Sequence, residues 1–201
     1  VLILLGIYPR RMSRSSTSDV GAAEQPHEEI LAMLEMMAQG PVPSFSSLSP
    51  AGAREFNQGM FPVASDPTPV GDTLDLSVTD RDVDIRVYVP EGEGPYPTLL
   101  YFHGGGWVIS NVELYDETCR RFSAGADCMV ISVDYGLAPE HSFPSPLKDC
   151  YAVAEWVFDN ALPMQVDTEN VAIGGDSAGG NLAAAVTQMA RDFDGPTFDH
   201  Q

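Results

Sequence analysis

Basic residues are scarce in this chain. Its 201 residues hold 10 lysines and arginines against 29 aspartates and glutamates, a net charge of −19, and Lys148 is the sole lysine. Contact with a phosphate backbone needs clusters of Lys and Arg, so nucleic acid is excluded as a partner. The acids are scattered rather than gathered into one block, which describes a solvated acidic surface and not an acidic tail. High net charge is a solubility device of halophiles, so a halophilic, high-salt origin is expected ahead of an ordinary acidic one.

Cysteine is also rare. Cys119, Cys128 and Cys150 are odd in number and lack C-x-x-C spacing, so buried reduced thiols and a cytoplasmic location are expected. There is no H-E-x-x-H and no Cys/His cluster, hence no metal site and no cofactor in this reading. Long apolar runs are missing, and none reaches the length of a membrane span. Val1 to Ile7 is apolar, but Arg10, Arg11 and Arg14 follow it, the wrong order for a signal peptide. Met12 is the expected start, with residues 1–11 as upstream read-through.

What is present is periodicity. Residues 1–25 read as a disordered or non-native N-terminal extension, 26–58 as a helical cap segment, and 59–201 as an incomplete core. Pro26 opens a helix with the apolar stripe Ile30, Leu31, Leu34, Met37 and Ala38. Met33 and Met36 beside it make a soft surface, read as core rather than lid. A short helix is expected near 50–58. Residues 74–78 and 83–89 alternate apolar with polar, the pattern of antiparallel edge strands with one wet face. Residues 98–102, 128–133 and 171–173 are instead continuous apolar runs, as in strands buried on both faces. Helical stretches at 114–126, 147–160 and 178–191 alternate with them. This gives the α/β class: right-handed βαβ units, a mostly parallel sheet and helices on both faces.

Two glycine motifs fall at strand ends. Val171-Ala172-Ile173-Gly174 runs into Gly175-Asp176-Ser177-Ala178-Gly179, and a small-residue helix pattern follows. G-x-S-x-G between strand and helix is the context of a nucleophile elbow. Small flanking residues let the chains pass closely around a strained serine. Its Oγ then sits at a helix N-terminus, where free N–H groups and the dipole favour negative charge. Spacing removes the other glycine-rich readings: Asp176 and Ser177 stand where a dinucleotide fingerprint needs Gly, and no Lys follows Gly179 as a P-loop requires. The second motif, Phe102-His103-Gly104-Gly105-Gly106-Trp107, lets successive backbone N–H groups turn toward one point, the requirement of an oxyanion hole.

With His103-Gly104-Gly105-Gly106-Trp107, Asp134-Tyr135-Gly136-Leu137-Ala138-Pro139-Glu140-His141 and Gly174-Gly175-Asp176-Ser177-Ala178-Gly179-Gly180-Asn181 in that order, the chain resembles the hormone-sensitive-lipase branch of the α/β-hydrolase family. The resemblance covers roughly residues 26–200. It implies Ser177 as the nucleophile and the N–H groups of Gly105, Gly106 and Ala178 as the oxyanion hole. His103, Gly104, Gly175, Asp176 and Gly179 would support them, with His103 holding its loop and Asp176 pointing away from the serine. Residues 26–58 would cover the acyl pocket; Trp107 and Trp156 are read as packing residues, with the pocket mouth as the alternative place for Trp107. Gly136 departs from the family, which usually carries Arg there, and puts a local contact in question.

In this fold the triad acid and histidine follow the serine along the chain. Both are expected to be absent here, with the C-terminal strands missing. His200 is read as a loop residue, His141 is not read as a substitute base, and Asp134 and Asp149 are read as structural. The implied function is hydrolysis of short to medium acyl esters through an acyl-serine, in a longer protein. The partner is a small-molecule ester, a homo-oligomer stays open, and this stretch alone is expected to be inactive. The rival readings are a non-catalytic small-molecule binder, as in the gibberellin receptors, and an inactive truncated product.

Overall fold

Where apolar and β-branched residues run on, strands form: β1 (Asp72–Val78), β2 (Val83–Val89), β3 (Tyr96–Phe102), β4 (Met129–Asp134) and β5 (Val166–Gly175). The computed structural model describes residues 26–38, 43, 45–61 and 63–201. The strands build one sheet in the order β1-β2-β4-β3-β5. β2 is antiparallel to β1 and β4, while β3 is parallel to β4 and β5. Among the described strands only β2 therefore runs against the rest, and the mostly parallel sheet of the expected α/β class is present.

The period of two sorts residues to the two faces. Val87, Leu100, Phe102, Ile131 and Ile173 lie in one apolar cluster with Val153 and Val157 of α4 (Ser145–Asp159) and Leu182 and Val186 of α6 (Ala178–Asp192). Each such side chain contributes about 1.5–3 kcal/mol on burial. The alternate residues turn to α3 (Asp116–Ala126) on the opposite face. Tyr101 packs on Phe122 with ring centroids 5.5 Å apart, and the Tyr88 hydroxyl donates to Asp116 at 3.1 Å. Asp116 is buried, and it also accepts from Arg86 at 3.2 Å and Arg120 at 2.6 Å, which offsets the cost of burying a carboxylate.

Three details differ from the sequence reading. β2 is interior rather than an edge strand, and Tyr88 is fully buried. The alternation that reads as a wet face reflects a polar layer under α3, with Arg86 paired to Asp75 and Glu113. β5 begins at Val166, before the apolar run, because its first residues pair with β3 through Tyr96. A one-turn helix, α5 (Ala161–Met164), follows α4, a stretch to which the sequence reading assigned no element.

Residues 50–201 form one compact unit, which includes α2 (Pro50–Met60). The other unit ends at Ser49 and contributes α1 (Glu28–Ala38) and a 3-10 turn (Phe45–Ser47). On α1, Ile30 and Leu34 stand about half exposed. The expected extension 1–25, including the assumed start at Met12, lies outside the described residues, as do the side chains of Met33, Met36, Met37 and Ala38.

Candidate active site

β3 and β5 end side by side, with Phe102 paired to Gly175. The triple-glycine loop and the serine turn therefore leave adjacent strand ends at the carboxyl edge of the sheet, the usual site of ligand binding in open α/β folds. Ser177 has φ 50° and ψ −115°, α6 begins at the next residue, and the serine side chain does not cap the helix. A non-glycine residue in this region costs about 1–3 kcal/mol and persists only where its surroundings fix it. Here the fixing is steric. A Cβ at Gly179 would run into the carbonyl oxygens of Phe102 and His103, and one at Gly175 into the Phe102 carbonyl and the Gly179 backbone. The turn is thus pressed against the end of β3, and Ser177 is left exposed.

Asp176 points away from the serine and across to the glycine loop. Its Oδ1 accepts from the Gly104 N–H at 2.8 Å and from the Tyr101 hydroxyl at 3.0 Å, and its Oδ2 from the Tyr115 hydroxyl at 2.9 Å. Burial, then the Asp176 charge, raises both tyrosine pKa values, so both stay protonated donors. The Gly104 N–H is therefore already engaged. Beyond it the loop is left-handed, with φ 124° at Gly105, 59° at Gly106 and 60° at Trp107. A Cβ at Gly106 would meet no atom of the described residues, and Trp107 is 40% exposed.

His103 is sealed in the core at 0% exposure. Its Nδ1 bonds the Gly104 carbonyl at 2.7 Å, and its ring stacks on Tyr135 at 4.4 Å between centroids. The Tyr135 hydroxyl donates back to the His103 carbonyl at 2.6 Å. Among the described residues Nε2 has no hydrogen-bond partner, and it lies 3.9 Å from Asp134 Oδ1. Burial lowers the His103 pKa and raises that of Asp134, which favours the uncharged form of each. A neutral, inaccessible imidazole braces the loop and is not placed to shuttle protons.

At Gly136 a Cβ would come within 2.7 Å of the His141 ring and 3.1 Å of Asp149 Oδ2. Asp149 is buried and accepts from the Gly136 N–H at 3.1 Å and from Arg81 Nε, in the β1–β2 turn, at 2.7 Å. The guanidinium beside this carboxylate thus comes from Arg81. His141, Asp134, Asn111 and Arg54 line a cavity of about 410 Å³, and Ser177 is not among its lining residues. His200 corrects the loop reading, since it forms a parallel bridge with Ala172 on the outer edge of β5. Its carbonyl accepts from Ile173 N–H at 3.0 Å.

All three cysteines are buried free thiols. Burial pushes Cys119 up to about 12 and Cys128 to about 11, so they are unreactive. Among the described residues no group of three or more His, Cys, Asp or Glu side chains could hold a metal ion. Sequence reasoning missed Tyr101, Tyr115, Arg54 and Asn57. The only signal for Arg54 was an arginine on a short helix in a chain poor in bases.

The strand-end serine turn facing a glycine loop defines a nucleophile-elbow class of α/β protein. The chain belongs to the alpha/beta hydrolase fold family, whose profile matches residues 99–201, and this bears out the family read from the motifs. It is 41% identical over 137 residues to Esterase LipI of Mycobacterium tuberculosis, a match over 63% of this chain and 43% of the relative. It is 41% identical over 126 residues to an arylesterase of Saccharolobus solfataricus, covering 62% of this chain and 41% of that one. Among solved structures it resembles an ester-hydrolase from the metagenome of Lake Arreo in complex with a bipyridine phosphonate derivative. There the TM-score is 0.77 at 39% identity, over 85% of this chain and 56% of that one. The chain spans about two fifths of the length of these curated relatives.

Proposed function

We propose that this chain is the nucleophile-bearing part of a carboxylic-ester hydrolase that works through an acyl-serine intermediate. One observation carries the reading: Ser177 stands exposed in left-handed backbone at the head of α6, beside a glycine loop that leaves the neighbouring strand end. Ser177 Oγ attacks the ester carbonyl carbon as its proton passes to a histidine. The developing oxyanion is met by the N–H groups of Gly105, Gly106 and Ala178. The alcohol leaves with the proton, and water then cleaves the acyl-serine. Each oxyanion donor is worth about 10²–10³ in turnover. The Gly104 N–H is not counted among the donors because Asp176 holds it.

The acid and histidine that complete the triad are assigned to the rest of the protein. Relatives named esterase and arylesterase support ester substrates, and the family resemblance favours short to medium acyl chains. The test is active-site labelling of the full-length protein by a fluorophosphonate, with Ser177→Ala as control. Labelling and p-nitrophenyl ester turnover that both vanish in Ser177→Ala support the reading. Labelling that survives the substitution, or a wild type that neither labels nor turns over ester, overturns it.

The net charge of −19 supports a high-salt working environment. Three buried reduced thiols support a cytoplasmic one. Among the described residues no helix is long and apolar enough to cross a membrane.

A further inference from the structure

The glycine loop does not end its strained course at Trp107. Ser110 also has positive φ, at 75°, so four of the six residues 105–110 are in left-handed backbone. Within the loop, the Val108 and Ile109 N–H groups both return to the Gly105 carbonyl, at 3.1 and 3.0 Å. Glycine takes such backbone freely, but Trp107 and Ser110 do not, and two bonds on one carbonyl do not by themselves fix them.

The remaining constraint comes from α2. Arg54 Nε donates to the Val108 carbonyl at 2.8 Å, and Nη2 donates to the Ala138 carbonyl at 3.0 Å. The Ala138 N–H in turn donates to the Trp107 carbonyl at 2.7 Å. One planar guanidinium thus spans the loop and the segment after β4 that clasps it. Glu140 orients the guanidinium, accepting at 3.0 Å from Nη1 and at 2.6 Å from Nη2. One turn further along α2, Asn57 is 5% exposed and donates from Nδ2 to Ser110 Oγ at 3.2 Å. Two side chains of one helix therefore hold the loop at Val108 and Ser110, on either side of Ile109.

We infer that α2 is a strut for the oxyanion loop, and that Arg54 and Asn57 are positioning residues that keep the Gly105 and Gly106 amides aimed at the serine. The inference rests on the ester-hydrolase reading for its catalytic consequence, but its structural half can be measured separately. Neither residue touches the reacting atoms. Losing Arg54 should leave substrate binding intact and spoil the alignment needed only in the transition state, which lowers kcat with little change in KM.

The experiment compares wild type, Arg54→Ala, Arg54→Lys and Asn57→Ala in the full-length protein. Hydrogen exchange is followed at residues 104–110, alongside steady-state hydrolysis of p-nitrophenyl butyrate. In Arg54→Ala the loop amides should exchange about tenfold faster or more, and kcat should fall about tenfold or more with KM within about twofold, the scale of one charge-assisted hydrogen bond. Arg54→Lys, which can reach one carbonyl but not both, should fall between, and Asn57→Ala should show a smaller effect of the same kind. Added methylguanidinium should restore part of kcat in Arg54→Ala alone. Unchanged exchange in a folded variant, faster exchange with wild-type kcat, or a loss carried wholly by KM each overturns the strut. Where Arg54→Ala does not fold, the same criteria are applied to Arg54→Lys and decide the matter. A wild type that neither labels nor turns over ester refutes the ester-hydrolase reading instead, and the exchange comparison then decides the strut alone.

Discussion

The serine turn and the glycine loop leave neighbouring strand ends, and both hold residues in left-handed backbone, yet they are kept there by different forces. At the turn, Gly175 and Gly179 lie so close to the carbonyls of Phe102 and His103 that no side chain fits. Packing of backbone against backbone leaves Ser177 no alternative. The loop has one backbone contact of that kind, since a Cβ at Gly105 would meet the Ile109 carbonyl, but no described atom crowds Gly106, and the rest is held by polar side chains from elsewhere: Asp176 and Tyr115 at Gly104, Arg54 at Val108, Asn57 at Ser110. On the proposed reading, the nucleophile has a fixed place, and the loop that would meet the oxyanion is set by bonds that can be adjusted one at a time.

Substitutions can break this contrast. Ser177→Ala has the largest expected effect on chemistry, a loss of about 10⁶ in turnover of the full-length protein, with stability kept. Gly179→Ala should cost about 3 kcal/mol or more, since the overlap is with backbone and cannot be relieved by a rotamer change; denaturant unfolding measures it. A loss below about 1 kcal/mol would show the turn to be soft and remove the contrast. Asp176→Asn replaces an acceptor of three bonds by a group that brings two donors toward other donors. A loss of about 1–3 kcal/mol, with a lower phosphonate labelling rate, is expected. Ser177→Gly should raise stability by about 1 kcal/mol while removing activity, because glycine adopts the turn without strain.

A smaller effect concerns pH. Burial holds the folded pKa of His103 below its ordinary value of 6.5, so below about pH 6.5 the unfolded chain takes up a proton that the folded chain does not. Stability should therefore fall on acidification through that window, by no more than about 1.4 kcal/mol per pH unit. Asp134, whose folded pKa is raised above 3.8, acts in the opposite sense. It adds stability at low pH that is lost as pH rises through its folded value. His103→Asn should flatten the high-pH part of the curve, as denaturant midpoints between pH 7 and 5 would show. Salt probes the surface rather than the site. With a net charge of −19, melting temperature should climb as salt rises from dilute buffer to molar concentrations, and a flat response removes the high-salt proposal.

Much of this site was legible from local chemistry. G-x-S-x-G after a β-branched run carries its own conformation, because only glycine tolerates the approach found at Gly175 and Gly179. His103-Gly104-Gly105-Gly106 likewise announces a loop with rotated amides. Illegible were the partners that arrive from far along the chain. Arg54 reaches Ala138 across 84 positions and Tyr101 reaches Asp176 across 75, and no periodicity marks such pairs. β2 was misplaced at an edge because alternation shows that one face is polar, not whether water or an ion-pair layer under α3 covers it.

By itself the sequence determined the α/β class and the strand-end positions of both motifs, because these depend on residue size and on spacing along a few turns of chain. The tertiary structure alone decided that β2 lies inside the sheet, that Arg81 serves Asp149 beside Gly136, and that α2 grips the glycine loop. Those outcomes depend on which distant surfaces meet, and that is fixed only when the faces of the sheet are covered and each buried polar group finds its partner.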